Sequence, residues 1–344
     1  MRPTVAVCSR WLLPCAVVGA FALGAPGSSR AADDARAWLQ RMNQALATRN
    51  YDGTFFRLSE GRVETLRILH RVKGGRITER LMSLDGSGRE YIRNDGELTC
   101  YLPDQHTVLV EPRQDRGPFL GSLPQFGADV NDYYRLELLS ATHVLGRPAQ
   151  IIAVKPKDDY RFGYRLWLDE STAMPLKTQL CDASGQVIEQ ILFARLEMPE
   201  SIPDSALAPA VRTEGMRWVR QGPSHDLDQP TLSAFQSKQL PPGFHLTDAG
   251  AQTINGAGLP AAHLVYSDGL ATVSVFVEEP AGAAQSAPAQ SGPPPAPPMQ
   301  GLARVGSGFA FSTVIQGHQV TAVGEVPAQT VEFIAHSVEA HDPH

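Results

Sequence analysis

Cysteine is scarce in this chain. Of 344 residues only four are Cys, and two of them, Cys8 and Cys15, fall within the first thirty. At most one disulfide therefore remains for the body of the protein. Catalytic signatures are missing as well: there is no Gly-x-Ser-x-Gly elbow and no Gly-x-x-x-x-Gly-Lys phosphate loop. Gly306-Ser307-Gly308 lacks the elbow spacing and suits a turn or a strand edge. The ten His are scattered without His-x-x-x-His spacing, so no metal site or other cofactor is expected. Basic charge is short too. With 30 Lys and Arg against 36 Asp and Glu the formal charge is -6, which argues against nucleic acid and against docking on an anionic membrane. After the first thirty residues no apolar run reaches the length of about 18 that a membrane helix needs. Nothing positive supports an enzyme.

What is there begins with an export signal. Arg2 and Arg10 form a basic start, Trp11 to Leu23 an apolar stretch, and Ser29-Arg30-Ala31 a cleavage site with small residues. Residues 1–31 are thus expected to be removed, taking three Arg with them and leaving a soluble, more acidic chain outside the cytoplasm. Cys100 and Cys181 remain. An oxidising compartment allows them to pair, closing a loop of about 80 residues for a gain of about 4–5 kcal/mol. Two separately buried thiols are the alternative, and the sequence does not say whether their strands are neighbours.

Along the chain, Trp38, Leu39, Met42, Ala45 and Leu46 recur at helical spacing behind a cap at Asp33 or Asp34. Short alternating segments follow with a turn every 8 to 12 residues, among them Lys73-Gly74-Gly75 and Asp95-Gly96, as in an antiparallel sheet long enough to curl. Residues 117–134 break the period and suit short helices or a loop over the sheet. Strands resume from Arg135 to Leu196. Pro199, Pro203, Pro209 and Pro223 mark a linker, 199–230, before a smaller unit, 231–340. That unit alternates strands with tight turns and ends in a helix opened by Pro327, with Val331, Ile334, Ala335 and Val338 as its buried stripe. Inside it, 280–298 is almost entirely Ala, Pro, Gly, Ser and Gln, a composition expected to be disordered. His70, alternating with apolar residues, suits a hydrogen-bonded sheet position better than a ligand. Neighbouring acids such as Asp158-Asp159 point to opposite faces of a strand and cannot share a substrate.

Several segments, in order, carry a family resemblance. They include Arg161 to Asp169 (RFGYRLWLD), Met174 to Lys177 (MPLK), Gly185 to Gln190 (GQVIEQ), Tyr51 to Phe55 (YDGTF), Leu240 to Phe244 (LPPGF), Tyr266 to Leu270 (YSDGL) and Val323 to Pro327 (VGEVP). Together they resemble the periplasmic RseB/MucB family across nearly the whole mature chain. The resemblance implies a mainly β, α+β protein. Its large domain, 32–198, would be a half-open antiparallel barrel like the carriers LolA and LolB, with covering helices. The family binds the periplasmic part of a membrane-spanning anti-sigma factor (RseA or MucA type), shields it from the first protease of an envelope-stress cascade, and responds to lipid or lipopolysaccharide acyl chains. It is not enzymatic. A homodimer is left open, and the insertion at 280–298 is a departure from the family. A periplasmic lipid or lipoprotein carrier is the alternative, a hydrolase a remote one.

On this footing the alternating strands nominate Leu66, Ile68, Leu81, Tyr101 and Trp167 as lining a lipid pocket; the competing reading is a dry core. For the partner, the hairpin from Tyr266 to Val277 carries more apolar residues than one helix can cover. Tyr266, Leu270 and Phe276 are therefore expected to meet the anti-sigma factor, or else the large domain.

Overall fold

The computed structural model describes residues 27–94, 96–112, 130–220, 235–253, 260–278 and 300–340. Most of the expected signal segment and the whole 280–298 stretch lie outside them.

The alternating residues form the strands they predict. In the large domain these are β1 (Tyr51–Ser59), β2 (Arg62–Lys73), β3 (Arg76–Ser83), β4 (Glu90–Asn94), β5 (Glu97–Leu102), β6 (Thr107–Pro112), β7 (Tyr134–Leu138), β8 (Thr142–Val144), β9 (Arg147–Pro156), β10 (Gly163–Asp169), β11 (Pro175–Cys181), β12 (Val187–Glu197) and β13 (Arg217–Arg220). They make one sheet in the order β13-β6-β5-β4-β3-β2-β1-β12-β11-β10-β9-β7, with β8 paired to β9. Its two ends, β13 and β7, are not joined, so the barrel is half open. Gly74 and Gly75 both hold positive φ in the β2–β3 turn, a conformation that costs glycine little and fits the twist of a hairpin.

Helix α1 (Gly27–Thr48) lays its apolar stripe against one face of this sheet: Ala35, Leu39, Met42, Ala45 and Leu46 are all buried with Tyr51, Phe55, Ile68, Leu166 and Phe193. It starts upstream of the expected Asp33 or Asp34 cap. A one-turn helix α2 (Val130–Tyr133) leads into β7.

The opposite face of the sheet corrects the expected linker. Residues 199–220 belong to the large domain. Ile202 and Leu207, the latter in helix α3 (Asp204–Leu207), bury Leu69 and Met82; Val211 and Met216 pack on Ile92, Tyr101, Val108 and Val110; and β13 adds in parallel to β6. The prolines reflect a chain that crosses strands rather than a free tether.

The sheet order also corrects the disulfide. Cys100 on β5 and Cys181 on β11 are both buried thiols, with five strands between theirs. Neither is bonded to the other, and a disulfide, which needs Cα atoms within about 7 Å, ordinarily joins elements closer than this in a sheet.

The small domain pairs β15 (His245–Thr253), β16 (Pro260–Ser267), β17 (Thr272–Glu278), β20 (His318–Gly324), β19 (Gly308–Ile315) and β18 (Gly301–Val305), in that order. Helix α4 (Ala328–His336) covers one face through Val331, Ile334 and Ala335 against Leu264, Val273, Val275 and Ala322. Pro327 caps the helix from just outside it. A two-stranded ribbon, β14 (Phe235–Ser237) with β21 (Val338–Ala340), closes the unit.

Candidate functional site

The interior of the half-barrel sorts the lining candidates by register. Gly53, Ile68, Leu81 and Tyr91 stand opposite one another across β1 to β4, and Cys100 continues the row on β5. Leu66 faces Phe55 two residues away on the same side. Ile68 is fully buried in the main core, with Leu66 and Leu81 half-buried against it. Tyr101 follows Cys100 by one residue, so it turns to the other face and packs beneath Val211 and Met216. Trp167 alternates with the fully buried Leu166 and Leu168 and also faces away from them, with the Lys177 ammonium 4.4 Å from its ring centre. Leu66, Ile68 and Leu81 share one interior row; Trp167 packs against the same core cluster without standing in that row, and Tyr101 lies on the opposite face.

That interior contains charge. His70 is the hydrogen-bonded sheet residue expected of it: its Nδ1 lies 2.6 Å from Glu79 Oε1, and Arg93 reaches Glu79 Oε2 at 3.2 Å. The Tyr51 ring stacks on the imidazole with 4.4 Å between centroids. His70 and Glu79 are fully buried and Arg93 nearly so. Burial drives the Tyr51 phenol well above its usual range, the charge of Glu79 adds to this, and Arg93 opposes it.

Sequence reasoning missed the richest constellation, which lies between the domains. Arg161, in the β9–β10 connection, is a fully buried cation. Its Nε donates to Asp158 Oδ1 at 2.9 Å, and its Nη groups donate to Asp268 Oδ2 and to the Pro242 carbonyl. The rings of Tyr133, Tyr134 and Phe244 surround it at 4.9–5.5 Å. Asp268, in the β16–β17 turn of the small domain, also accepts the Tyr134 hydroxyl at 3.0 Å. Its Oδ1 takes the Leu270 and Ala271 amides at 2.8 and 2.7 Å. Both carboxylate oxygens are thereby used, as a buried charge requires. Burial, followed by the charge of Asp268, pushes the Tyr134 phenol well above its usual range, so it stays a donor.

Further contacts widen the junction. At the start of α4, Gln329 and Thr330 donate to the carbonyls of Asp159 and Tyr160 at 2.6 and 2.7 Å. Tyr160 meets Phe333 edge-on at 5.7 Å. Leu270 and Phe309 of the small domain pack against the large-domain core itself. Gly243 sits at φ +84°, and a Cβ there would lie 2.4 Å from the Tyr133 ring. Gly243→Ala is expected to combine backbone strain with overpacking and to loosen the junction by about 2–4 kcal/mol. Chemical denaturation followed by Trp fluorescence would measure this, and a loss below about 0.5 kcal/mol would show that the ring moves aside freely.

The partner candidates fall in three places. Tyr266 lies within the small-domain core, where its hydroxyl accepts the Ser237 amide at 2.9 Å. Leu270 belongs to the junction. Phe276 is on the sheet face away from α4, stacked on His263 with 4.5 Å between centroids. The three do not form one surface.

Comparison with known proteins decides the family. The model of the MucB/RseB N-terminal domain matches residues 34–211, and that of the MucB/RseB C-terminal domain matches residues 229–339. The chain belongs to the MucB/RseB family. It is 33% identical over 315 residues to the Pseudomonas aeruginosa sigma factor AlgU regulatory protein MucB, covering 89% of this chain and 91% of that one. The Salmonella typhimurium sigma-E factor regulatory protein RseB is 28% identical, with 88% and 90% covered. Among solved structures, MucB in complex with MucA(peri) aligns with a TM-score of 0.66 at 30% identity, covering 90% of this chain and all of that one. In this MucB/RseB chain the junction residues Arg161, Pro242 and Asp268 all lie in the segments that carry the resemblance. That coincidence was the available signal for finding them.

Proposed function

We propose that this chain is a periplasmic regulator that holds the periplasmic region of a membrane-spanning anti-sigma factor and shields it from proteolysis. Acyl chains of a lipid or lipopolysaccharide entering the large domain weaken that hold. Membership of the MucB/RseB family over both domains supports the partner, as does the kinship with a MucB captured in complex with MucA(peri). One observation carries the coupling: Leu270 and Phe309 of the small domain pack against the apolar cluster that contains Ile68 and that Leu66 and Leu81 also pack against. An acyl chain inserted among those residues disturbs the cluster on which the small domain rests.

A coupling of about 1–3 kcal/mol would change partner affinity roughly 5- to 150-fold. Calorimetric titration with the periplasmic anti-sigma peptide, with and without short-chain lipopolysaccharide, tests this. Unaltered affinity at saturating lipid would remove the coupling from the reading.

The peptide is proposed to dock on the small domain and the adjoining cleft, using the face that bears Phe276. Phe276→Asp should then weaken binding by about 2 kcal/mol, the scale of an interface hot spot. Circular dichroism first has to show the variant folded. Undiminished affinity would move the interface elsewhere.

A further inference from the structure

Elsewhere in the junction, two carboxylates meet over one hydroxyl. Ser307, in the β18–β19 turn of the small domain, lies within hydrogen-bond reach of Glu189 on β12 at 3.0 Å and of Glu325, just past β20. Ser307 and Glu189 are almost completely buried. A hydroxyl carries a single hydrogen and can donate only once. Both contacts are full hydrogen bonds only when one of the carboxylates brings a proton of its own; otherwise the single hydrogen is shared between two anions.

The surroundings decide which. Glu189 Oε2 receives Arg57 Nε at 3.1 Å and Arg57 Nη2 at 2.7 Å in addition to Ser307. An oxygen meeting three donors is an anion, and the Ser307 hydrogen points to it. A proton on Glu325, donated to Ser307 Oγ, would complete the contact between Ser307 and Glu325. The groups facing this pair are Arg57 on β1, Glu64 on β2 (itself 3.3 Å from Arg57) and Tyr164 on β10. Only Arg57 is cationic, and it is committed to Glu189 and Glu64.

We propose that closure of the two domains traps one proton on Glu325, so that the contact between them is tightened by acid and loosened by base. Desolvation raises the Glu325 carboxyl above its ordinary range against the pull of Ser307; the charge of Glu189 adds to the rise, and Arg57 offsets part of it. The sign follows from linkage. The closed form binds the proton more tightly than an open form in which Glu325 faces water. Closure is therefore fully supported below the ordinary glutamate range and loses support as pH climbs through the raised value. One proton changes the open-to-closed ratio by at most about tenfold per pH unit. This goes beyond partner binding and needs neither peptide nor lipid.

Small-angle scattering of the full chain between about pH 5 and about pH 8 should show the radius of gyration growing with pH. Glu325→Gln keeps the shape and the donor of the protonated acid, and should hold the compact form with a flat profile. A pH dependence that survives in Glu325→Gln, or a wild-type profile that is already flat, overturns the proposal. Infrared spectra of the unsubstituted protein provide a reading that does not depend on the variant folding. A neutral carboxylic acid band should persist above the ordinary glutamate range and disappear as the particle expands. Its absence there would equally overturn the assignment.

Discussion

Arg161→Ala is expected to release the small domain from the large one. The guanidinium is fully buried and, among the described residues, is the cation paired with Asp268, whose own side chain is also fully buried. Removing one partner of such a pair leaves the other charged and desolvated, at a cost of about 3–5 kcal/mol. Here that cost has an exit that does not require unfolding: the domains separate, and Asp268 returns to water. Scanning calorimetry should accordingly resolve two transitions where the parent shows one, with the small domain melting first. Asp268→Asn keeps an acceptor for the Leu270 and Ala271 amides and should cost less than Asp268→Ala, which frees the turn as well. The double variant Arg161→Ala with Asp268→Asn should recover part of the loss, because the fully buried charge of Asp268 is gone and only the partly exposed Asp158 loses a partner. A single undivided transition in Arg161→Ala, at the parent's temperature, would show that the junction rests on its apolar contacts alone.

Glu79→Ala should have an effect of similar size, but inside one domain. Glu79 holds the Nδ1 of His70 on one oxygen and the Arg93 guanidinium on the other, with no exposure of its own side chain. Without it Arg93 keeps its charge in the interior of the sheet, and about 3–5 kcal/mol of large-domain stability goes. Glu79→Gln preserves an acceptor and the volume, and should lose less. Urea unfolding monitored by circular dichroism measures both. A loss under about 1 kcal/mol for the alanine variant would mean that water reaches Arg93.

These two clusters show where sequence and structure part. The periodicity of Leu39, Met42 and Leu46, the alternation along β2 and the glycine-bearing turns are local properties. Each is satisfied within about ten residues by helix or hairpin geometry, so each could be read from the chain. The covered face of the small-domain sheet was readable in the same way: Val273 and Val275 meet α4, and Phe276 does not. The lining candidates divided at Tyr101 because apolar character was legible but the side of the sheet was not. A strand one residue out of phase with its neighbour presents the opposite face, and only the pairing of strands settles phase. The Pro-rich stretch after β12 misled for a related reason, since proline marks a chain without its own ladder but not whether that chain crosses another element's surface.

By itself, then, the sequence determined the run of antiparallel strands, the amphipathic helices at both ends and, through the order of its motifs, the family. The tertiary structure alone decided that Cys100 and Cys181 stand on strands with five others between them, and which of the apolar residues share an interior. It also decided that Arg161 meets Asp268, 107 residues away, and that Ser307 bridges Glu189 and Glu325. Local patterns act through backbone geometry that every short segment carries with it. The pairing of distant charges depends on strand order and domain closure, which arise from burying many weak apolar contacts at once and leave no mark on any one stretch of chain.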